Sequence, residues 1–304
     1  MFKIGVQTGA LREIFGIEKT YQMVKEAGFD AVDVNLDHLL VGSQIRKGEH
    51  VPVFDTQGEE MLAYFKPWKD AAEKYGIDNY QAHAPFPSCI PEPSNGYNDY
   101  MLDVLNKTIE GCAYIGCHRL IIHPFFLGYE CQLEPQAEWD LNIHSYSQLI
   151  PAAKKHGVTI CLENMFSSFR GKRYEACCSD ITKACRYIDA LNEIAGERVF
   201  AFCLDTGHLL LLGKDIKNAM IQLGDRIECF HVHDNNSVED QHLPPYFGKL
   251  DWVRFVEGLK AIGFNKTLSF ETYNILTYID LKLAPTILRY IADCGRCFAQ
   301  RAGE

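Results

Sequence analysis

Short apolar runs alternate with amphipathic stretches along this whole chain, and most pairs are punctuated by a glycine or a proline. The runs are Lys3–Gln7, Ala31–Asn35, Asn79–His83, Arg119–His123, Val158–Glu163, Val199–Asp205, Ile227–His233 and Thr267–Glu271. They are short, with few polar interruptions, as strands covered on both faces should be. Between them apolar residues recur at helical spacing. Ile17, Tyr21, Val24 and Ala27 form one such face, and Leu283, Ile287, Tyr290, Ile291 and Cys294 form the last. The same period predicts helices over Glu59–Tyr75, Asn98–Ile115, Trp139–His156, Asp180–Ala195, Lys214–Leu223 and Trp252–Ile262. Gly28, Gly76, Gly157, Gly196 and Gly263 stand just past helical patterns, where a left-handed terminal residue is favoured.

Regular strand–helix alternation requires a parallel sheet, because consecutive parallel strands need a crossover. Eight such units in 304 residues fit a closed (β/α)8 TIM barrel better than an open doubly wound sheet. No GxGxxG follows the first strand, so neither a dinucleotide fold nor a nucleotide cofactor is expected. No linker separates any two units, and residues 1–304 read as one domain.

Composition narrows the class of protein. A hydrophobic content of 47% supplies an ample core. No apolar stretch is long enough to span a membrane, and MFKIGVQTGALRE lacks the apolar core of a secretion signal. A soluble, cytoplasmic protein is expected, with its 12 cysteines reduced. Most of these sit in apolar segments, where cysteine acts as a small hydrophobe, and Cys294-Gly-Arg-Cys297 is not expected to act as a redox or zinc motif. A net charge of −10 gives no support to a nucleic-acid partner, although a basic face can sit on an acidic protein. The basic loops, Arg46–Lys47 and Arg170–Arg173, read equally as solvated or phosphate-binding patches.

The candidate chemistry lies in what ends each strand. Six successive strands finish in His83, His123, Glu163, Asp205, His231 and Glu271. A barrel brings the carboxyl ends of its strands to one face, where such side chains crowd a small volume. Buried carboxylates and imidazoles at that density need a cation. A mixed oxygen and nitrogen set without thiolate suits Mn, Zn, Co or Mg. The stretch Cys229–His242, CFHVHDNNSVEDQH, adds to this with His231, His233, Asp234, Asp240 and His242. A period of two would point His231 and His233 to the same face. Each residue alone also has a plainer reading. A histidine after a strand is often a hydrogen-bonded rim residue, Asp205-Thr-Gly-His208 can be a helix cap and turn, and Asp240 and His242 can simply stabilise a loop.

These motifs resemble a known family. QAHAPF (81–86), IIHP (121–124), ICLENMF (160–166), CLDTGH (203–208), FHVHDN (230–235), DQHLPP (240–245) and LSFE (268–271) look like the xylose isomerase-like TIM-barrel superfamily, one motif per strand. That superfamily holds sugar isomerases, ketose 3-epimerases, inosose dehydratases and the endonuclease IV group. By resemblance to the 3-epimerases, Glu163, Asp205, His231 and Glu271 would bind the metal. Glu163 and Glu271 would also act as acid and base, and His208 would contact a substrate oxygen. By resemblance to the endonuclease IV group, nine ligands around three zincs would be His83, His123, Glu163, Asp205, His208, His231, Asp240, His242 and Glu271. His83, His123, His233, Asp240 and His242 therefore stand as additional metal or substrate residues. HDN…DQHLPP followed by Gly248-Lys-Leu-Asp-Trp252 looks more like the sugar-phosphate isomerase/epimerase group. The expectation is a metal-dependent sugar or sugar-phosphate isomerase or epimerase that moves a proton through an enediolate held by the metal. The alternatives are a zinc phosphodiesterase of the endonuclease IV type and, as a non-enzyme, a barrel that binds sugar or metal without turnover. A small sugar is the expected partner, with no nucleic acid and no membrane. A homo-oligomer is compatible with the sequence.

Overall fold

The alternation of large and small side chains along the apolar runs decides which face of each strand looks out. Ile4, Val6, Val32, Val34, Leu120, Ile160, Leu162, Phe200, Phe202, Leu204, Phe230, Leu268 and Phe270 join the core beneath the helices. Ala31, Ile121, Cys161, Ala201, Cys203 and Cys229 form a second, narrow cluster with Tyr80. Large groups outside and small ones inside let a sheet close on itself.

The computed structural model describes residues 2–125 and 133–304. Its strands are β1 (Lys3–Gln7), β2 (Ala31–Asn35), β3 (Asp78–His83), β4 (Arg119–Ile121), β5 (Thr159–Glu163), β6 (Phe166–Phe169), β7 (Lys172–Glu175), β8 (Phe200–Asp205), β9 (Ile227–His231) and β10 (Thr267–Phe270). Strands β6 and β7 form a separate antiparallel hairpin. The other eight are parallel, in the order β10-β1-β2-β3-β4-β5-β8-β9. A single bridge, Val232–Phe270, joins β9 to β10. There the Val232 N–H donates to Ser269 O at 2.9 Å and the Glu271 N–H donates to Val232 O at 3.0 Å. The result is the expected (β/α)8 barrel in one domain.

Two β-bulges shape its amino-terminal end. The β2–β3 register shifts so that Tyr80 is unpaired, and the β8–β9 register shifts so that Glu228 is unpaired. The two extra residues meet, with the Tyr80 hydroxyl donating to Glu228 O at 3.2 Å. Arg119 lies over the Tyr80 ring, 4.1 Å from its centroid, and its Nε donates to Glu228 Oε1 at 2.9 Å. Lys266 pairs with the same carboxylate and also donates to Ile227 O at 2.7 Å. This network is the floor of the barrel.

Several elements differ from the sequence expectation. The helix expected over Glu59–Tyr75 is two, Gly58–Leu62 and Lys66–Tyr75, because Pro67 cannot donate within a continuous helix and instead opens the second. Pro151 likewise divides Trp139–His156 into Pro135–Ser147 and Ile150–His156. The expected strand Arg119–His123 ends at Ile121, so His123 has left the ladder, and Ile227–His233 ends at His231. The basic loop Arg170–Arg173 lies in the hairpin, turning at Arg170 and Gly171 with φ of 50° and 75°. All 11 described cysteines are free thiols, and Cys131 lies outside the described residues. Among the described residues no helix is long and apolar enough to cross a membrane.

Candidate metal centre

Strand ends deliver the expected side chains to one place. Glu163 and Asp205 are the last residues of β5 and β8, His231 is the last of β9, and Glu271 follows β10. All four are at most 7% exposed. His231 Nδ1 stands 3.0 Å from Glu163 Oε1 and 3.5 Å from Glu271 Oε2. Ligand atoms of Asp205, His231 and Glu271 all lie within 4.8 Å of one another.

The additional candidates form a second arc. His83 Nε2 and His123 Nε2 face each other at 2.9 Å, and His123 Nε2 lies 3.0 Å from Glu163 Oε2. Across the mouth, His242 Nε2 is 3.1 Å from Asp240 Oδ2, and its Nδ1 is 3.4 Å from Glu271 Oε2. His208 hangs from the Asn164 carbonyl through Nδ1 at 2.8 Å and turns Nε2 to Asp240 Oδ2 at 3.4 Å. The nine residues of the larger ligand set thus converge on one mouth.

Asp205 does two jobs at once. It accepts from the His208 N–H at 2.7 Å, capping the helix Thr206–Leu211, so the plain reading of Asp205-Thr-Gly-His208 holds. Its carboxylate also meets His233 Nε2 at 3.0 Å. His233 is fully buried under the His242 ring, with centroids 4.0 Å apart, and its ring lies within metal-holding reach both of Asp205 with His208 and of His242 with Glu271. Gly207 is required beside it, since a Cβ there would collide with the imidazole. Asp234 is not free for a ligand. Its carboxylate accepts from the N–H groups of Asn235, Gly248 and Leu250 and from Trp252 Nε1, fixing the loop that carries Asp240 and His242.

The structure adds residues the strand-end pattern did not include. His231 Nε2 is 3.1 Å from Asp33 Oδ2, which leaves Nδ1 for the Glu163–Glu271 side. A carboxylate behind a histidine is how metal-binding imidazoles are oriented. Gln7 Nε2 donates to Glu271 Oε1 at 2.9 Å, and Asp37 Oδ1 lies 3.3 Å from His83 Nδ1. An acid inside the apolar run of β2 and the polar end of β1 were the available signals.

Burial and charge oppose each other here. Burial favours the neutral acid at Glu163 and Glu271, but His231 with His123, and His231 with His242, outweigh it and hold both well below the usual carboxylate range. Burial also disfavours charge on His83 and His208. Asp37 nevertheless lifts His83 to about 9, and Asp205 with Asp240 lifts His208 to about 10. His231 and His242 move upward for the same reason, whereas burial wins at His123 and lowers it.

The donor set fits a divalent cation. Glu163 Oε2, Asp240 Oδ1, His123 Nδ1 and Asp33 Oδ1 are buried without a hydrogen bond, and the closeness of His123 Nε2 to Glu163 Oε2 lacks hydrogen-bonding geometry. Unsatisfied buried polar atoms are costly, and a metal would satisfy several together. Beside these groups lies a cavity of about 630 Å³, lined among others by Gln7, Arg12, His83, Glu163, His208, Asp240, Glu271 and Tyr273.

Comparison with known proteins gives the family and the fold. A family model described as Xylose isomerase-like TIM barrel matches residues 21–293. The chain belongs to that family. Among its relatives, an uncharacterized Methanocaldococcus jannaschii protein, MJ1311, is 26% identical over 196 residues, 64% of each chain. The match therefore spans under two thirds of that relative. A probable endonuclease 4 of Mycobacterium leprae is 21% identical over 246 residues, 74% of this chain and 90% of that one. Among solved structures, an L-ribulose 3-epimerase superposes with a TM-score of 0.70 at 17% identity, covering 99% of this chain and 94% of that one. The IOLI protein with a bound zinc atom superposes with a TM-score of 0.68 at 16% identity, covering 96% and 95%. At these identities the structural likeness is one of fold.

Proposed function

We propose that this chain is a divalent-metal-dependent isomerase or epimerase of a sugar or sugar phosphate, acting by proton transfer. The observation that carries this reading is the pair of buried carboxylates, Glu163 and Glu271, reaching one imidazole nitrogen from different strands and opening on the same cavity. Glu163, Asp205, His231 and Glu271 would hold the metal, which supplies Lewis acidity toward a carbonyl oxygen and its neighbouring hydroxyl.

The remaining chemistry belongs to the chain. Both glutamates are held ionised by the histidines around them, so either can accept the proton on the carbon beside the carbonyl. The other first takes up a proton from water at the open mouth and delivers it to the opposite face, so configuration inverts through an enediolate, and the first glutamate gives its proton to solvent before the next turnover. Gln7 holds Glu271 Oε1 and leaves Oε2 as the moving oxygen. The Asn164 carbonyl fixes His208, which directs a substrate oxygen. Phe86 and Phe166 pack on His123 and His208 and limit water at the mouth.

Turnover of a ketose panel with deuterium beside the carbonyl tests this. Label is expected to wash into solvent, whereas complete retention would indicate a hydride shift and remove the enediolate route. The convergence of all nine ligands favours a second reading, a zinc phosphodiesterase of the endonuclease IV type. Mass spectrometry of protein purified without added zinc, beside a nicking assay on abasic duplex DNA, separates the two. One tightly held metal and no nicking are expected. A full zinc cluster with metal-dependent nicking would replace the first reading.

A further inference from the structure

The cavity holds a charge that neither the metal ligands nor the acid–base pair uses. Arg12 follows β1 on the helix Gly9–Phe15 and lines the same wall as Asp37, His83 and Glu271. Among the described residues lining the cavity it is the one permanent cation, beside the carboxylates of Glu13, Asp37, Glu163, Asp240 and Glu271. Its Nε is buried without a hydrogen-bond partner. The nearest acids do not saturate it. Asp37 faces His83 at 3.3 Å and Asn35 Nδ2 at 3.4 Å, and Glu13 is exposed. Burial presses against the charge on Arg12 more than Glu13 and Asp37 relieve it.

An arginine left this way amid carboxylates is poorly explained by folding. A guanidinium presents a planar fork of donors that matches a carboxylate or a phosphate and cannot be neutralised by losing a proton. The buried acids and histidines on the wall, Glu163, Glu271, His83 and His208, belong to the candidate metal set. Arg12 stands apart from that set, on the element after β1.

We propose that Arg12 is the specificity residue of this site and that the substrate carries an anionic group, phosphate or carboxylate, which the Arg12 guanidinium holds. This rests on reading the cavity as a sugar site. It adds that a neutral ketose is not the preferred ligand.

The test is isothermal titration of the metal-loaded protein with D-fructose, D-fructose 6-phosphate and 5-keto-D-gluconate, repeated with Arg12→Gln and Arg12→Lys. Wild type is expected to hold one of the two anionic sugars at least about tenfold more tightly than D-fructose, a difference of about 1.4 kcal/mol. Whichever anion shows the preference names the group. Arg12→Gln should reduce the ratio to within about twofold, and Arg12→Lys should keep part of it, because charge remains while the fork is lost. Arg12 makes no side-chain hydrogen bond through Nε, so the variants should melt close to wild type. Equal binding of neutral and anionic sugars, no binding of either anion, or a preference that survives Arg12→Gln would overturn the proposal. An Arg12-dependent preference without turnover of any ketose would uphold it while removing the epimerase reading. Turnover of D-fructose with no preference for an anion would do the reverse.

Discussion

The two ends of this barrel handle buried charge in opposite ways. At the floor, Glu228 is surrounded by cations the chain itself supplies: Arg119 at 2.9 Å, Lys266, and Arg198 at 3.6 Å. At the mouth, Glu163, Asp205, Asp240 and Glu271 pair with histidines and with no lysine or arginine among the described residues, and several of their oxygens and ring nitrogens have no hydrogen bond. A carboxylate saturated by arginine and lysine is a structural part. A group of carboxylates left short of cations, at the end of the barrel where ligands bind, is a place for something to enter. The contrast separates two clusters that look alike when counted only as buried charges.

The largest effect expected from breaking this contrast is at the mouth. Glu163→Gln and Glu271→Gln should each lower turnover roughly 10³-fold, the scale of a lost general acid or base. Steady-state rates on the substrate panel measure this, and near-normal turnover in either variant would remove that residue from the proton-transfer role. Chelation comes next. Removing the metal should abolish turnover and lower the melting temperature by several degrees, since a ligand at a hundredfold excess over its Kd stabilises by about 2.7 kcal/mol. Both losses should reverse when the metal is restored, and calorimetry with and without chelator reads the second.

At the floor the expected effect is on stability alone. Glu228→Gln strands the charges of Arg119 and Lys266 and should destabilise by about 1–3 kcal/mol without touching the mouth. Its pH dependence has a definite sign. Burial raises the Glu228 pKa, but Lys266 and Arg119 lower it by more, so the folded value lies below the unfolded one. The stabilisation is therefore present above the ordinary carboxylate pKa and is lost as pH falls through the folded value. Denaturant melts on acidification should show wild type losing more stability than Glu228→Gln. The smallest effect expected is from Asp240→Asn. Asp240 is 23% exposed at the rim and serves His208 and His242, so turnover should fall less than about tenfold. A loss matching that of Glu163→Gln would place Asp240 in the essential metal set and favour the phosphodiesterase reading.

Much of the mouth was legible because a barrel converts a one-dimensional rule into a three-dimensional one. Glu163, Asp205, His231 and Glu271 are far apart in sequence, yet each ends a strand, and strand ends meet. His123 and His233 were legible as candidates although both lie beyond the ladder, because a strand that stops pairing two residues early still delivers its next side chains to the same mouth. Asp33 was visible only as an acid inside an apolar run, since its role depends on which face of β2 it occupies and on His231 arriving from another strand. The two bulges were hidden as well. Nothing in DNYQAH or IECFH marks Tyr80 or Glu228 as an extra residue until the neighbouring strand sets the register. The split helices could have been read from Pro67 and Pro151, each of which stands inside a pattern whose apolar period continues past it.

Between floor and mouth lies the band of Ala31, Ile121, Cys161, Ala201, Cys203 and Cys229, all fully buried. Burial drives the Cys203 and Cys229 thiols well above their ordinary pKa, so they stay protonated. This collar of small apolar side chains and neutral thiols carries no ionised group between the two charged ends. The floor network and the mouth are therefore separate electrostatic systems, and a substitution that changes the charge of one should leave the titration of the other where it was.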